Sequence, residues 1–247
     1  MKIAGIIEAR MGSSRLPGKV LLPLGGKPAL ERLIERVSRS KWLDEVIVAT
    51  TTGEGDQPIV ELCERLGVRA HRGSEDDVLA RVLGAAQAAE ADLICELMGD
   101  SPLSDPVLID LTVATHLAGD YDYTSNFLFE NALPMGFAAG VFSTALLRRV
   151  EAMTQDPVDR AHVTCFIYHN PKLFRLQGVA ANAQLVGPNL RLCMDTRQDY
   201  EVVSRVFEAV HREGECVPAH EIIRYLREHP ELAAINAHVR QKHVDEG

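Results

Sequence analysis

Through the first half of the chain, short and nearly uninterrupted apolar runs alternate with segments whose apolar residues recur every three or four positions. KIAGIIEA (residues 2–9), DEVIVATTT (44–52) and DLICELMGD (92–100) are runs of the first kind. They are short, rich in aliphatic residues and apolar on both faces, which predicts strands buried within a sheet. RAHRG (69–73) predicts a further short strand. Between these runs, ALERLIERVSRS sets Leu30, Leu33, Ile34 and Val37 on one helical face, and QPIVELCERLGV carries proline in its first turn. SEDDVLARVLGAAQAAEA and PVLIDLTVATHLAG read as two more helices, the first opened by Ser74 with Asp77 three residues on, in the manner of a capping box. This alternation predicts an α/β fold with a mostly parallel central sheet and helices on both faces. Ligands of such sheets bind outside the carboxyl ends of the strands. The segment after the first strand, Thr50 to Thr52, and Asp100 are therefore expected along one rim.

The second half is less regular. YDYTSNFLFENALPMGFAAGVFSTALLRRV reads as loops and short strands around a glycine-bearing turn, DRAHVTCFIYHN as a helix, and LRLCMDTRQDYEVVSRVFEAV as a strand, a turn and a long helix. No internal repeat or linker interrupts the chain. Residues 1–247 are read as a single domain with an excursion near 121–185.

Charge narrows the choice of partners. A formal net charge of −9 argues against a general binder of nucleic acid or membrane surfaces, so an anionic ligand must meet locally concentrated positive charge. The five cysteines are scattered, with no Cys-x-x-Cys pair, which favours buried thiols over disulfides or zinc. No run reaches membrane-spanning length and the first residues lack the features of a signal peptide. A cytoplasmic location is expected.

The clearest concentration of cations is EARMGSSRLPGKVLLPLGGKP (8–28), directly behind the first strand. It superficially resembles a Walker A loop and fails that test. Five residues separate Gly12 from Gly18, Val20 stands where a magnesium-binding hydroxyl is needed, and Pro17 lacks an amide donor. The anion-binding chemistry survives: Gly12 and the serines admit close backbone approach, Arg10 and Arg15 offer forked donors, and Lys19 a mobile charge.

The segment IIEARMGSSRLPGKVLLPLGGKPALERLIERV closely resembles the opening of the sugar-acid cytidylyltransferases, especially their spore-coat polysaccharide branch, relatives of the acylneuraminate and 3-deoxy-manno-octulosonate cytidylyltransferases. VIVATTT, RGSEDDVLAR, GDSPLSDPVLID, DYTSN, AHVT and MDTRQDYEVV continue the resemblance in order over residues 3–210. It implies a nucleotide-diphospho-sugar transferase sheet of glycosyltransferase-A type. It also implies transfer of CMP from CTP to a sugar acid, with magnesium as cofactor and a homodimer as the assembly.

Carried onto this chain, the resemblance makes Arg10, Arg15 and Lys19 the groups that neutralise charge on the α-phosphoryl group and the leaving pyrophosphate. Ala9, Arg10, Met11, Gly12, Ser13 and Ser14 would cradle the nucleotide. Asp100 of GDSPL and Asp195 of MDTRQD would hold the metal, the alternative for Asp100 being an N-cap; Asp199 is expected to cap the following helix. Arg72 would face the cytosine, or else pair with Glu75 or Asp76. Asn126 of DYTSN, with Arg160 and His162 of DRAHVT, would meet the sugar, or serve structural pairing. Where many relatives carry acids, this chain has PMGFAAGVF with Met135, Ala138 and Ala139, and it has Cys193 ahead of Asp195. The first departure leaves the triphosphate loop untouched and bears on the acceptor; the second leaves the second metal position to Asp195 alone. They leave open a sugar phosphate, a phosphonate or a polyol phosphate as acceptor, and a nucleotide-binding homologue without catalysis.

Overall fold

The computed structural model describes residues 1–128 and 133–242; residues 129–132, inside the stretch read as loops, lie outside them. The first four strands of the large sheet are β1 (Ile3–Glu8), β4 (Glu45–Thr51), β5 (Arg69–Gly73) and β6 (Leu93–Met98), with a small hairpin of β2 (Pro23–Leu24) and β3 (Lys27–Pro28) between the first two. Helices α1 (Ala29–Val37), α2 (Gln57–Leu66), α3 (Val78–Ala88) and α4 (Pro106–Leu117) alternate with them. The large strands align in parallel in the order β5-β4-β1-β6. The expected rim is therefore real: Glu8, Thr51 and Met98 end their strands on one edge of the sheet.

The irregular half extends the same sheet. β7 (Tyr123–Ser125), β8 (Gly140–Ser143) and β9 (Leu176–Gly178) complete seven strands in the order β5-β4-β1-β6-β8-β7-β9. β8 runs antiparallel to both β6 and β7, while β9 lies parallel to β7. Helix α5 (Thr144–Met153) covers one face with α3, where Ile6, Ile47, Ile94, Phe142 and Leu147 are buried. On the other face Ile7, Val48, Cys95 and Leu97 pack under α1, α2 and α4. A further apolar cluster gathers α8 (Arg197–Val210), α9 (Ala219–Glu228) and α10 (Pro230–Asn236) against Leu24, Phe137 and Met194. No helix among the described residues is long and apolar enough to cross a membrane. All five cysteines are free thiols, four of them buried.

Three local expectations are corrected. The helix read across 159–170 is broken into α6 (Pro157–Ala161) and α7 (Cys165–His169), because His162 to Thr164 leave helical geometry between them. No strand forms in LRLCMDT; Arg191 makes only an isolated bridge to Met135. Ser74 is not the cap of α3. The Asp77 carboxylate takes that place, accepting from the Ala80 N–H at 2.9 Å, while Ser74 Oγ accepts from the Asp77 N–H. Asp77 wins because it sits one residue from the helix, within reach of the first free amides.

Candidate functional site

The loop behind β1 is folded by its own backbone and by one acid. Met11 O accepts from both Ser13 and Gly18 at 2.9 Å, and Gly18 turns the chain with φ of 69°, a conformation costly to any residue with a Cβ. A short 3₁₀ turn, Lys19–Leu21, follows and sets Lys19 facing inward over buried Val20. Asp56, which the sequence did not single out, anchors the loop from the short turn after β4. Its Oδ1 accepts from Met11 N–H at 2.7 Å, and its Oδ2 from Thr51 N–H and the hydroxyls of Thr50 and Thr51. Burial works against the charged form of Asp56, but these donors outweigh it and hold its carboxyl below the ordinary range. Met11, expected in the nucleotide cradle, thus has its N–H committed to Asp56 and its carbonyl to the loop.

Lys19 is the centre of the cleft. Its ammonium lies 2.5 Å from Asp100 Oδ2 and 2.9 Å from Asp195 Oδ1. Arg15 reaches the same Asp195 oxygen at 3.1 Å. Burial opposes the charge on Lys19, yet the two carboxylates overcome it and raise its pKa; burial likewise opposes Asp195, and Lys19, Arg15 and Arg191 together lower it. Asp100 does not cap α4. That cap is Asp105, whose Oδ1 accepts from Val107 and whose Oδ2 accepts from Ala219.

Behind Asp195 stands a second layer. Arg191, 7 % exposed, bonds Asp195 Oδ2 at 3.3 Å and Asp199 Oδ1 at 3.2 Å. Asp199 completes a capping box with Thr196, as expected, and also accepts from Asn236 Nδ2. Cys193 is buried beside these acids, and that burial, with the neighbouring negative charge, pushes its thiol pKa well up. It is a neutral thiol there. The C-terminal segment closes over the cluster: Gln241 Oε1 accepts from Arg191 at 3.2 Å, and Arg240 O lies 3.5 Å from Arg15 Nη1.

Not every predicted residue joins this cluster. Arg10 is half exposed and pairs with Glu75 at 3.1 Å across the mouth of the loop. Arg72 pairs with neither Glu75 nor Asp76; it donates to Thr51 O, Gly53 O and Gln57 Oε1, tying down the turn after β4. Asn126 spends both ends of its buried amide on backbone, donating to Phe137 O and accepting from Ala139 N–H. Arg160 binds Asp77 and the Glu151 carbonyl. His162 does face an open space, a cavity of about 520 Å³ that also takes in Glu8, Met98 and Ser125. Ala9 lies buried at the root of the loop, its N–H bonded to Ala49 O. Gly12 carries no side chain at the point where a Cβ would come within 3.2 Å of Glu75 Oε1.

The residues suit a divalent cation. Two carboxylates from different segments already converge on one positive charge, and oxygen-only donors match a hard ion that keeps several waters. Among the described residues no third His, Cys, Asp or Glu completes a protein cage, so phosphate oxygens and water would have to fill the shell.

The chain is similar to known proteins over nearly its whole length. The chain is 40% identical over 245 residues to an uncharacterized protein of Methanocaldococcus jannaschii, covering 98% of this chain and 97% of the other. It is 36% identical to the spore coat polysaccharide biosynthesis protein SpsF of Bacillus subtilis, over 92% and 95% of the two chains. Its fold superposes on a cytidylyltransferase from Leptospira borgpetersenii with a TM-score of 0.89 at 28% identity, covering 98% of this chain and 100% of that one. Cytidylyltransferase sequence features extend over residues 4–228, nearly the whole chain, and the protein belongs to the cytidylyltransferase family.

Proposed function

We propose that the protein transfers CMP from CTP to a sugar acid of the nonulosonate type, releasing pyrophosphate, in the building of a surface polysaccharide. The observation that carries this reading is Lys19 held between Asp100 and Asp195 with Arg15 on the outer side of Asp195. Cations for phosphoryl oxygens and carboxylates for a divalent ion thereby share one cleft at the carboxyl edge of the sheet.

Phosphoryl transfer of this kind is chiefly positioning and charge stabilisation. Arg15 and Lys19 would exchange their carboxylate partners for the oxygens of the α-phosphoryl group and the departing pyrophosphate, where charge-assisted hydrogen bonds are strongest. Arg10, on the exposed side of the loop, would leave Glu75 to meet the outer phosphates. Ala9, Gly12, Ser13 and Ser14 form the wall beside which the nucleoside would lie, with Arg72 holding the neighbouring turn. Asp100 and Asp195 would hold magnesium, which supplies charge neutralisation to the triphosphate. Arg191 keeps Asp195 ionised and aimed at that position. The acceptor hydroxyl would form the new bond to the α-phosphorus as the bond to the pyrophosphate oxygen breaks. A homodimer in the cytoplasm belongs to the same reading, and the Bacillus relative's role in spore-coat polysaccharide supports the glycan context.

Pyrophosphate release measured over a panel of nucleoside triphosphates and acceptors tests it. Release with CTP and a sugar acid is expected. Release only with a sugar phosphate, phosphonate or polyol phosphate would replace the acceptor, and tight CTP binding without turnover on any acceptor would make the protein a non-catalytic nucleotide binder.

A further inference from the structure

The cavity of about 520 Å³ beside the nucleotide loop is lined by an acidic pair that the phosphate chemistry does not use. Glu8 ends β1, one residue before the loop begins. Glu96 lies in β6, two residues before Met98, and its register partner in β1 is Ile6. The two carboxyl groups are neighbours on adjacent strands, and buried acids so placed do not both ionise, so one of them keeps a proton. Burial, together with the proximity of Glu8, raises Glu96 well above the ordinary carboxyl range and makes it the proton's seat. Thr164 Oγ1 and the Tyr123 hydroxyl surround Glu96, while Glu8 Oε1 is sealed from solvent and accepts no N–H or O–H from the protein.

Such a pair retains one negative charge. Arg81 on α3 acts on Glu8 only at a distance and gives its hydrogen bonds to Ser74 O and Glu75 O instead. No lysine or arginine lines the cavity, and the undescribed residues 129–132 and 243–247 contain none. Ala138, Ala139 and Gly140 line the cavity beside the pair, Gly140 being the register partner of Glu96 in β8. A Cβ at Gly140 would stand 2.8 Å from the Tyr123 hydroxyl and 3.2 Å from Glu96 Oε2, so glycine there keeps the space above the pair open. An anionic group brought against Glu8 and Glu96 would meet like charge; a hydrogen-bond donor would find an acceptor in the pair.

We propose that this cavity receives the end of the acceptor remote from the reacting hydroxyl, and that Glu8 and Glu96 select an end bearing an amino group over one bearing a hydroxyl. The proposal rests on the cytidylyltransfer reading above and adds the chemistry of the acceptor's far end. The acceptor's own carboxylate, next to the reacting hydroxyl, then belongs with Arg15 and Lys19 and not in this cavity. An ammonium brings both the donors and the charge that the pair calls for.

Two probe acceptors differ at a single atom: 3-deoxy-manno-octulosonate and 8-amino-3,8-dideoxy-manno-octulosonate. Their affinities for the CTP-loaded protein are to be measured by calorimetry and their KM values by pyrophosphate release, in the wild type and in Glu96→Gln and Glu8→Gln. The amino compound is expected to be preferred by about tenfold or more; Glu8→Gln, which removes the charge of the pair, should bring that ratio close to one while CTP affinity stays near wild type, whereas Glu96→Gln, which keeps a neutral donor beside the Glu8 carboxylate, should preserve the preference. A wild-type ratio near one, or one that survives Glu8→Gln, overturns the proposal. So does failure of both probes to bind while CTP binds normally, a result that leaves the nucleotide half of the function standing. Loss of CTP binding in the wild type would instead remove the underlying reading.

Discussion

The backbone N–H of Met194 donates to the carbonyl oxygen of Asp100 at 2.8 Å. That one bond ties the segment ahead of α8 to the end of β6, and it puts Asp195 and Asp100, nearly a hundred residues apart in the chain, on either side of Lys19. Each carboxylate alone would be an ordinary strand-end or pre-helix acid. Held together they form a site whose charge is balanced by Lys19 and Arg15.

Lys19→Ala and Asp100→Asn should each lower CTP-dependent pyrophosphate release by about a hundredfold or more, the scale seen when one preorganised charge-stabilising group is lost. Far-ultraviolet circular dichroism should stay at the wild-type level for both. Full activity in both variants would show that the site lies elsewhere.

The depressed carboxyl of Asp195 makes acid stability depend on this cluster. A lowered folded-state pKa contributes stability that is complete above the unfolded value, near 3.8, and is lost as pH falls through the folded value. Lys19 has the opposite sign: its raised pKa contributes fully below the unfolded value, near 10.5, and is lost as pH climbs through the folded one. Thermal unfolding of wild type and Asp195→Asn should therefore differ most between these limits and converge as pH falls below the unfolded value and through the lowered folded one. A difference that persists unchanged into acid would contradict the assignment.

Glu96 should behave in the reverse sense. Its carboxyl is raised by burial and by Glu8, with Glu8 itself raised by burial and influenced by Arg81 and Asp100. Stability should then decline as pH rises above the unfolded value, near 4.5, because folding must keep a proton that the unfolded chain releases. Glu96→Gln removes that titration. Its midpoint temperature should exceed that of the wild type at neutral pH and match it near pH 4. Equal midpoints across the range would mean that Glu96 is ionised in the fold.

Asp77→Ala removes the cap of α3 and the partner of Arg160 in one step. Urea unfolding should show a loss of about 1–2 kcal/mol, with Arg160→Ala causing a smaller loss and the double variant less than the sum, since the two residues share one interaction. Additive losses would show that the ion pair contributes nothing.

The layered fold was legible because strand and helix periodicities are local and survive without tertiary information. β1, β4, β5, β6 and the helices α1 to α4 that alternate with them follow from apolar runs of the right length, and the rim location of Lys19 and Asp100 follows from the direction of a parallel sheet. The cation-rich loop was equally plain, since Arg15, Lys19 and the glycines lie within one short stretch. The capping role of Asp199 could be read from its spacing to the start of the helix.

What the chain order could not convey is which partner each polar group finds across the fold. Asp56 anchors the loop although it carries no motif, Arg72 and Asn126 are taken up by nearby backbone, and Arg191 stands under Asp195 because α10 and the C-terminal segment close behind it. The pairing of Glu8 with Glu96 was likewise invisible, for each is a single acid at the end of, or within, an apolar run. Periodicity decides which face of an element is buried. The identity of the groups that meet at the edge of the sheet depends on long-range register and on burial, which change the charge a carboxyl can carry, and only the assembled structure sets these.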